Sequence, residues 1–159
     1  MANATKYGAG LYGVVTYGGW QVPIYDRTAA DVQDGTAKGY YTRADINRVG
    51  HNVEHFAALL NLYGYHVTVI PKTDWAKTDF PVQAAMVTYL SNVQAMIDAY
   101  VTLTTTPALP VGMDLLTWAK ANNIEKILLD MKALLESMLE MFLRSGIAVC
   151  GTSNLYFAN

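Results

Sequence analysis

The sequence has little cysteine and little charge. Cys150 is the single cysteine in 159 residues, so the chain cannot form an internal disulfide, a pattern typical of proteins made in a reducing cytoplasm. Charged residues make up 15% of the chain and the formal net charge is -2, which gives no indication of a nucleic-acid partner or an anionic membrane. The sequence contains no apolar run of 18 residues, the length that would predict a membrane-spanning helix. Residues 1–6 also lack the basic-then-apolar layout of a secretion signal. We therefore expect partners that bind through shape and apolar contact.

The N-terminal residues contain a short repeat. Tyr7, Tyr12 and Tyr17 are each followed by glycine and recur every five residues. A period of five matches neither a helix nor a strand, and glycine at this density disfavours a helix. We predict an extended, turn-rich segment over residues 1–41 in which these tyrosines and Trp20 dock on a protein surface. The alternative is a leader without fixed structure.

The first of three predicted helices covers residues 42–63. Thr42 and Asp45 have the spacing of a shortened capping box, and Gly64 stands where a helix commonly ends. Apolar residues at alternating spacings of three and four form a heptad seam, which we expect to be buried: Ile46, Val49, Val53, Phe56 and Leu60.

A second helix is predicted over residues 79–102, with Thr78 or Asp79 as its cap and Pro81 in its first turn. The third is predicted over residues 122–145, from a cap at Asn122 to a stop at Gly146.

The third helix carries the widest apolar stripe. Its main seam is expected to make oligomer contacts and comprises Ile124, Leu128, Met131, Leu135, Met138 and Phe142. A stripe this wide requires more than one neighbour, although such a seam can close within one chain or between subunits. The charged residues of this helix, among them Glu125, Lys126, Asp130 and Lys132, are interpreted as a solvated face.

These patterns predict a mainly α fold. We expect a three-helix antiparallel, coiled-coil-like bundle over residues 42–146, an extended Tyr/Gly-rich arm over 1–41 and a short C-terminal tail over 147–159. The tail is apolar and uncharged, so it is interpreted as a second docking arm or as an unstructured end. Cyclic homo-oligomers, a trimer or a hexamer, would let each copy's arm dock on its neighbour.

Two letter patterns suggest chemistry. Residues 8–13 match G-x-G-x-x-G, but no strand can precede them as a dinucleotide site requires. His51, Glu54 and His55 match the H-x-x-E-H zinc-peptidase motif, yet the heptad register turns them outward and no further ligand is evident. We predict no catalytic residue, no metal and no cofactor, and therefore no enzyme.

Several blocks of the chain resemble a known structural module. Residues 20–32 (WQVPIYDRTAADV) and 41–49 (YTRADINRV), with shorter blocks at 78–81, 89–93, 123–128 and 145–146, are similar to a module in tail-region proteins of phages and prophages of Gram-positive bacteria. The resemblance implies a non-enzymatic virion protein of the tail, baseplate or fibre-attachment region. It implies that the chain is made in the bacterial cytoplasm and assembles with copies of itself and other tail proteins.

Two other function classes remain open. A receptor- or carbohydrate-binding module would stack sugars on the tyrosines and on exposed Trp20, Trp75 and Trp118. A metallopeptidase would require zinc at His51, Glu54 and His55.

Overall fold

The computed structural model describes residues 19–155, with side chains described over residues 19–142. In this part of the chain there are four helices and no strand: α1 (Ala29–Gln33), α2 (Arg43–Leu62), α3 (Gln83–Ala99) and α4 (Trp118–Leu155). Long irregular segments at 65–82 and 100–117 join the last three helices. The prediction of a mainly α fold is confirmed for these residues.

Helix α2 has the local signals that the sequence predicted. The Thr42 side chain and the Asp45 carboxylate form the capping box, each bonding the other's backbone N–H. At the other end Gly64 adopts a φ of 89°, a left-handed conformation that glycine accepts without a steric cost. Local sequence therefore defines both ends of this helix.

Helix α3 is shorter than predicted. It begins at Gln83 rather than at residue 79, and its N-cap, Val82, makes no side-chain capping bond. The Asp79 carboxylate instead accepts a bond from the backbone N–H of Ala76, so it closes a turn before the helix. The helix ends at Ala99 rather than at residue 102.

Helix α4 is longer than predicted at both ends. It begins at Trp118, where the Thr117 hydroxyl accepts a bond from the Lys120 N–H, and the predicted cap Asn122 lies inside it. It continues through Gly146 to Leu155, so the predicted stop at Gly146, with a separate tail from residue 147, was wrong. Each of the two glycines inside this helix, Gly146 and Gly151, costs only about 1 kcal/mol, and no proline follows to enforce a stop. Residues 156–159 lie outside the described part.

The apolar core lies between α2 and its two neighbours, because α2 packs against both α3 and α4. All five predicted seam residues of α2 are buried, as are Tyr89, Leu90, Val93 and Met96 of α3 and Ile124, Ile127, Leu128, Met131, Leu135 and Leu139 of α4. Burial of each large apolar side chain contributes about 1.5–3 kcal/mol. A side chain at Gly50 would place its Cβ 2.6 Å from the Lys72 carbonyl oxygen, so glycine there lets the 65–82 segment lie directly on α2.

Five helical asparagines attach the irregular segments to the helices. Each asparagine side chain pairs with the backbone of one residue in an irregular segment. Its amide oxygen accepts a hydrogen bond from that residue's N–H, and its amide nitrogen donates one to that residue's C=O, as the backbone of a neighbouring β-strand would. The pairs are Asn47 with Trp75, Asn52 with Gln21, Asn61 with Val67, Asn92 with Ile70 and Asn122 with Arg27, at 2.8 to 3.1 Å. Backbone groups that form no helix or sheet are satisfied in this way.

Replacing Asn52 with alanine is expected to lower the free energy of unfolding by about 1–3 kcal/mol, because the N–H and C=O of Gln21 lose their partners. Urea denaturation measures the loss, and hydrogen exchange at the Gln21 amide should speed up. Asn123→Ala is the control, since the amide of Asn123 makes one bond of 3.4 Å at the surface and should change stability by less than about 0.5 kcal/mol. Equal losses in the two variants would contradict a clamping role.

Candidate functional site

A buried cluster of four charged side chains joins three parts of the chain. Arg27 lies in the segment before α1, Asp45 and Arg48 are on α2, and Glu125 is on α4. The Arg27 guanidinium is 2.7 Å from Asp45 Oδ1 and 2.8 Å from Glu125 Oε1. Arg48 lies 2.8 Å from both oxygens of Glu125 and also contacts Asp45. Two cations thus balance two carboxylates inside the fold.

Every oxygen of the Glu125 carboxylate is occupied. Besides the two arginines, it accepts a bond of 2.7 Å from the backbone N–H of Ile24, and the side chain has no exposed surface. Arg27 also donates to the Ile24 carbonyl and lies 5.2 Å from the centre of the Tyr41 ring. The cluster therefore fixes the segment around residue 27 against both α2 and α4.

The cluster favours the charged forms of Asp45 and Arg48. Desolvation raises the pKa of Asp45, but bonds from Thr42 and Arg48 outweigh it and bring the pKa below its ordinary value. Desolvation lowers the pKa of Arg48, and the carboxylates of Glu125 and Asp45 outweigh it in the opposite direction. Because these ion pairs are buried and join three parts of the chain, the cluster anchors the fold.

Two tyrosine hydroxyls meet beside the cluster. The oxygens of Tyr41 and Tyr89 are 2.6 Å apart. Burial raises the pKa of each phenol well above its ordinary value, so both stay protonated. They bridge the start of α2 to α3.

A groove of about 1130 Å³ runs along α3. One wall is α3, and the other is the irregular chain at 109–116. Met86, Leu90 and Leu109 are among its apolar lining residues, and the outward-facing Val87 is 61% exposed. An apolar groove of this size is the candidate contact surface of the protein.

The predicted docking residues of the N-terminal arm lie mainly outside the described part. This applies to Tyr7, Tyr12 and Tyr17, and also to the G-x-G-x-x-G match at 8–13. Trp20 is described and only half-buried. Its ring packs on Phe56 with centroids 5.3 Å apart, and the Lys132 ammonium lies 5.7 Å from its centre. Trp20 therefore covers the edge of its own chain's core.

The predicted oligomer seam of α4 divides in two. Ile124, Leu128, Met131 and Leu135 are buried within the chain. Met138 is partly buried against the core, and Phe142 is 59% exposed while stacking on Tyr63 at 6.1 Å. The first four residues already have intrachain neighbours, so Phe142 is the seam residue that presents a large apolar surface.

The H-x-x-E-H match and the tryptophans are the other sequence features that suggested chemistry or binding. His51, Glu54 and His55 lie on α2, and no group of three or more His, Cys, Asp or Glu side chains able to hold a metal occurs among the described residues. Of the tryptophans expected to be exposed in a sugar-binding module, Trp118 is 40% exposed, but Trp75 is buried, so the expectation was wrong for Trp75.

Sequence reasoning missed the charged cluster and the asparagine pairs. The charged residues of α4 were interpreted as a solvated face, which was wrong for the buried Glu125 and Asp130. One signal was present: Glu125 directly follows the seam residue Ile124 and stands three residues before Leu128, a place close to the core. Its partners lie 77 and 98 residues away, so local spacing could not identify them.

The described residues thus define a mainly helical protein with an internal ion-pair cluster and an apolar groove. No family model matches the chain, and no curated protein or solved structure matches it. Among the described helices, none combines the length and apolarity needed to span a membrane.

Proposed function

We propose that this chain is a non-enzymatic structural protein of a phage tail, baseplate or fibre-attachment region, where it assembles as a homo-oligomer. The proposal includes a three-helix antiparallel, coiled-coil-like bundle made by α2, α3 and α4. The observation that carries it is the apolar groove along α3, whose lining includes Val87 and the fully exposed Val111. Contiguous apolar surface of this kind typically marks a protein contact.

The residues that resemble tail proteins support the same proposal. The two longest blocks, 20–32 and 41–49, include Arg27, Asp45 and Arg48, three of the four members of the charged cluster. The resemblance therefore falls on residues that position the N-terminal segment on α2. Such residues would be shared by proteins that use the same framework for assembly.

Light scattering of the full-length protein over a hundredfold range of concentration tests the assembly. We expect a trimer or a hexamer, because a ring or spike about a symmetry axis needs repeated copies. A monomer at every concentration would refute homo-oligomerisation. Antibody labelling of phage particles in the electron microscope tests the location, with signal at the tail expected and unlabelled tails counting against it.

The alternative is a receptor- or carbohydrate-binding module. Trp118, at 40% exposure, is the tryptophan whose ring is most open for stacking on a sugar. Glycan-array binding that disappears in Trp118→Ala would favour this alternative, whereas an absence of binding leaves the structural role ahead.

A further inference from the structure

The groove along α3 is large enough for a peptide. Its volume of about 1130 Å³ exceeds the roughly 300–1000 Å³ of typical small-molecule pockets. Apolar residues from both walls line it, including Met86, Leu90, Leu109 and Met113. Methionine side chains adapt their shape to irregular partners. An occupant with several aromatic or aliphatic side chains would fit this surface.

The charge of the groove has one sign. Asp98 and Asp114 line it, and among residues 19–142, whose side chains are described, no lysine, arginine or histidine does. Neutral polar groups are supplied by Gln83, Ser91 and Gln94. The groove therefore favours a segment that is mostly apolar, lacks carboxylates and carries a positive charge.

Residues 1–18 of this chain have that composition. Lys6 is their single charged side chain, and three tyrosines recur at five-residue intervals among glycines. Eighteen extended residues reach up to about 60 Å, farther than the width of one such domain. The tyrosine rings would supply apolar area together with a hydroxyl for the polar groups of the lining.

Residues 19 and 20, which directly follow residues 1–18, lie at a place separate from the groove. Gly19 lies against the His55 ring, and Trp20 packs between Phe56 and the end of Lys132, so the exit is on α2 and α4. None of these residues lines the groove along α3. Because exit and groove share no residue, the arm of one copy can enter the groove of the next, and repetition of this contact forms a ring when the rotation between copies closes.

We propose that the groove binds residues 1–18 of a neighbouring copy, with tyrosine rings on the apolar lining and Lys6 near Asp98 and Asp114. This inference rests on the proposed homo-oligomer and identifies the contact that builds it. The same chain already holds extended segments against its helices through the asparagine pairs.

Photo-crosslinking in the full-length protein tests the occupant. Tyr12 is replaced by p-benzoylphenylalanine, and equal amounts of ¹⁴N- and ¹⁵N-labelled chains are mixed, dissociated, reassembled and irradiated. We expect mass spectrometry to find crosslinks from residue 12 to residues 83–98 or 109–116, with both isotopes in one crosslinked product. If every product carries a single isotope, each arm binds its own groove, and crosslinks to other surfaces would refute the groove; either result overturns the proposal.

A groove variant tests the contribution of the site without the crosslinker. Val87→Lys places a cation on the exposed wall of the groove, facing the approach of Lys6, and is expected to raise the dissociation concentration of the oligomer at least about tenfold. Ala84→Lys is the control, because Ala84 is exposed on the same helix but does not line the groove. The melting temperature of the dissociated chain should be the same in both variants.

The two proposals fail in different ways. If the parent chain is a monomer at every concentration, the homo-oligomer itself is refuted. If the parent is an oligomer and Val87→Lys dissociates no more readily than Ala84→Lys, the groove is refuted while the homo-oligomer stands.

Discussion

Replacing Glu125 with glutamine is expected to lower the free energy of unfolding by about 3–5 kcal/mol, the cost of removing one charge from a buried ion pair. The glutamine amide has the shape of the carboxylate but carries no charge, so Arg27 and Arg48 would share the single carboxylate of Asp45. The Arg27 guanidinium cannot turn to water, because the residue is only 2% exposed. Urea denaturation of the full-length chain at pH 7 measures the change.

Glu136→Gln is the matched control for this prediction. Glu136 lies on the same helix and pairs with Lys132, but its side chain is about half exposed. Exposed ion pairs contribute about 0–1 kcal/mol, so the control should remain close to the parent chain. Similar losses in the two variants would mean that the cluster around Glu125 is hydrated and contributes little to the fold.

Replacing Leu128 with alanine is expected to cost about 2–5 kcal/mol, because the side chain is fully buried in the centre of α4 and its removal leaves a cavity. The structure gives Leu128 intrachain neighbours, so the loss should be independent of protein concentration. A seam that closes between subunits would instead give a loss that varies with concentration, since unfolding would then be linked to dissociation.

Thermal unfolding at two protein concentrations a hundredfold apart measures both the loss of stability in Leu128→Ala and its dependence on concentration. Leu62→Ala, at a 52% exposed position of α2, is the control and should cost less than about 1 kcal/mol. If the loss of stability depends on concentration in Leu128→Ala but not in Leu62→Ala, the α4 seam lies at a subunit interface.

The sequence predictions were correct where the residues that interact are close along the chain, and wrong where they are far apart. Helix α2 was predicted correctly because Thr42, Asp45 and Gly64 act within one turn of its ends. The start of α4 was misplaced because Asn122 has the residue type of a cap, while its amide binds the backbone of Arg27, 95 residues earlier. Local spacing carries no information about such a partner.

The asparagine pairs could be foreseen only in part. Asn47, Asn52 and Asn61 all lie inside α2, although asparagine is a poor helix former. Their presence indicates that these side chains do something other than favour the helix. A periodic sequence pattern, however, does not identify the backbone groups that they bind. For the same reason the groove could not be predicted, since its second wall is irregular chain at 109–116.

The charged cluster also has a consequence expected for folding during synthesis on the ribosome. Arg27 emerges early in translation, whereas its partner Glu125 follows 98 residues later. Burying the guanidinium before that carboxylate exists would leave a cation with half of its compensation. We therefore expect the segment around Arg27, although made first, to take its place on α2 only after Glu125 of the last helix has been synthesised.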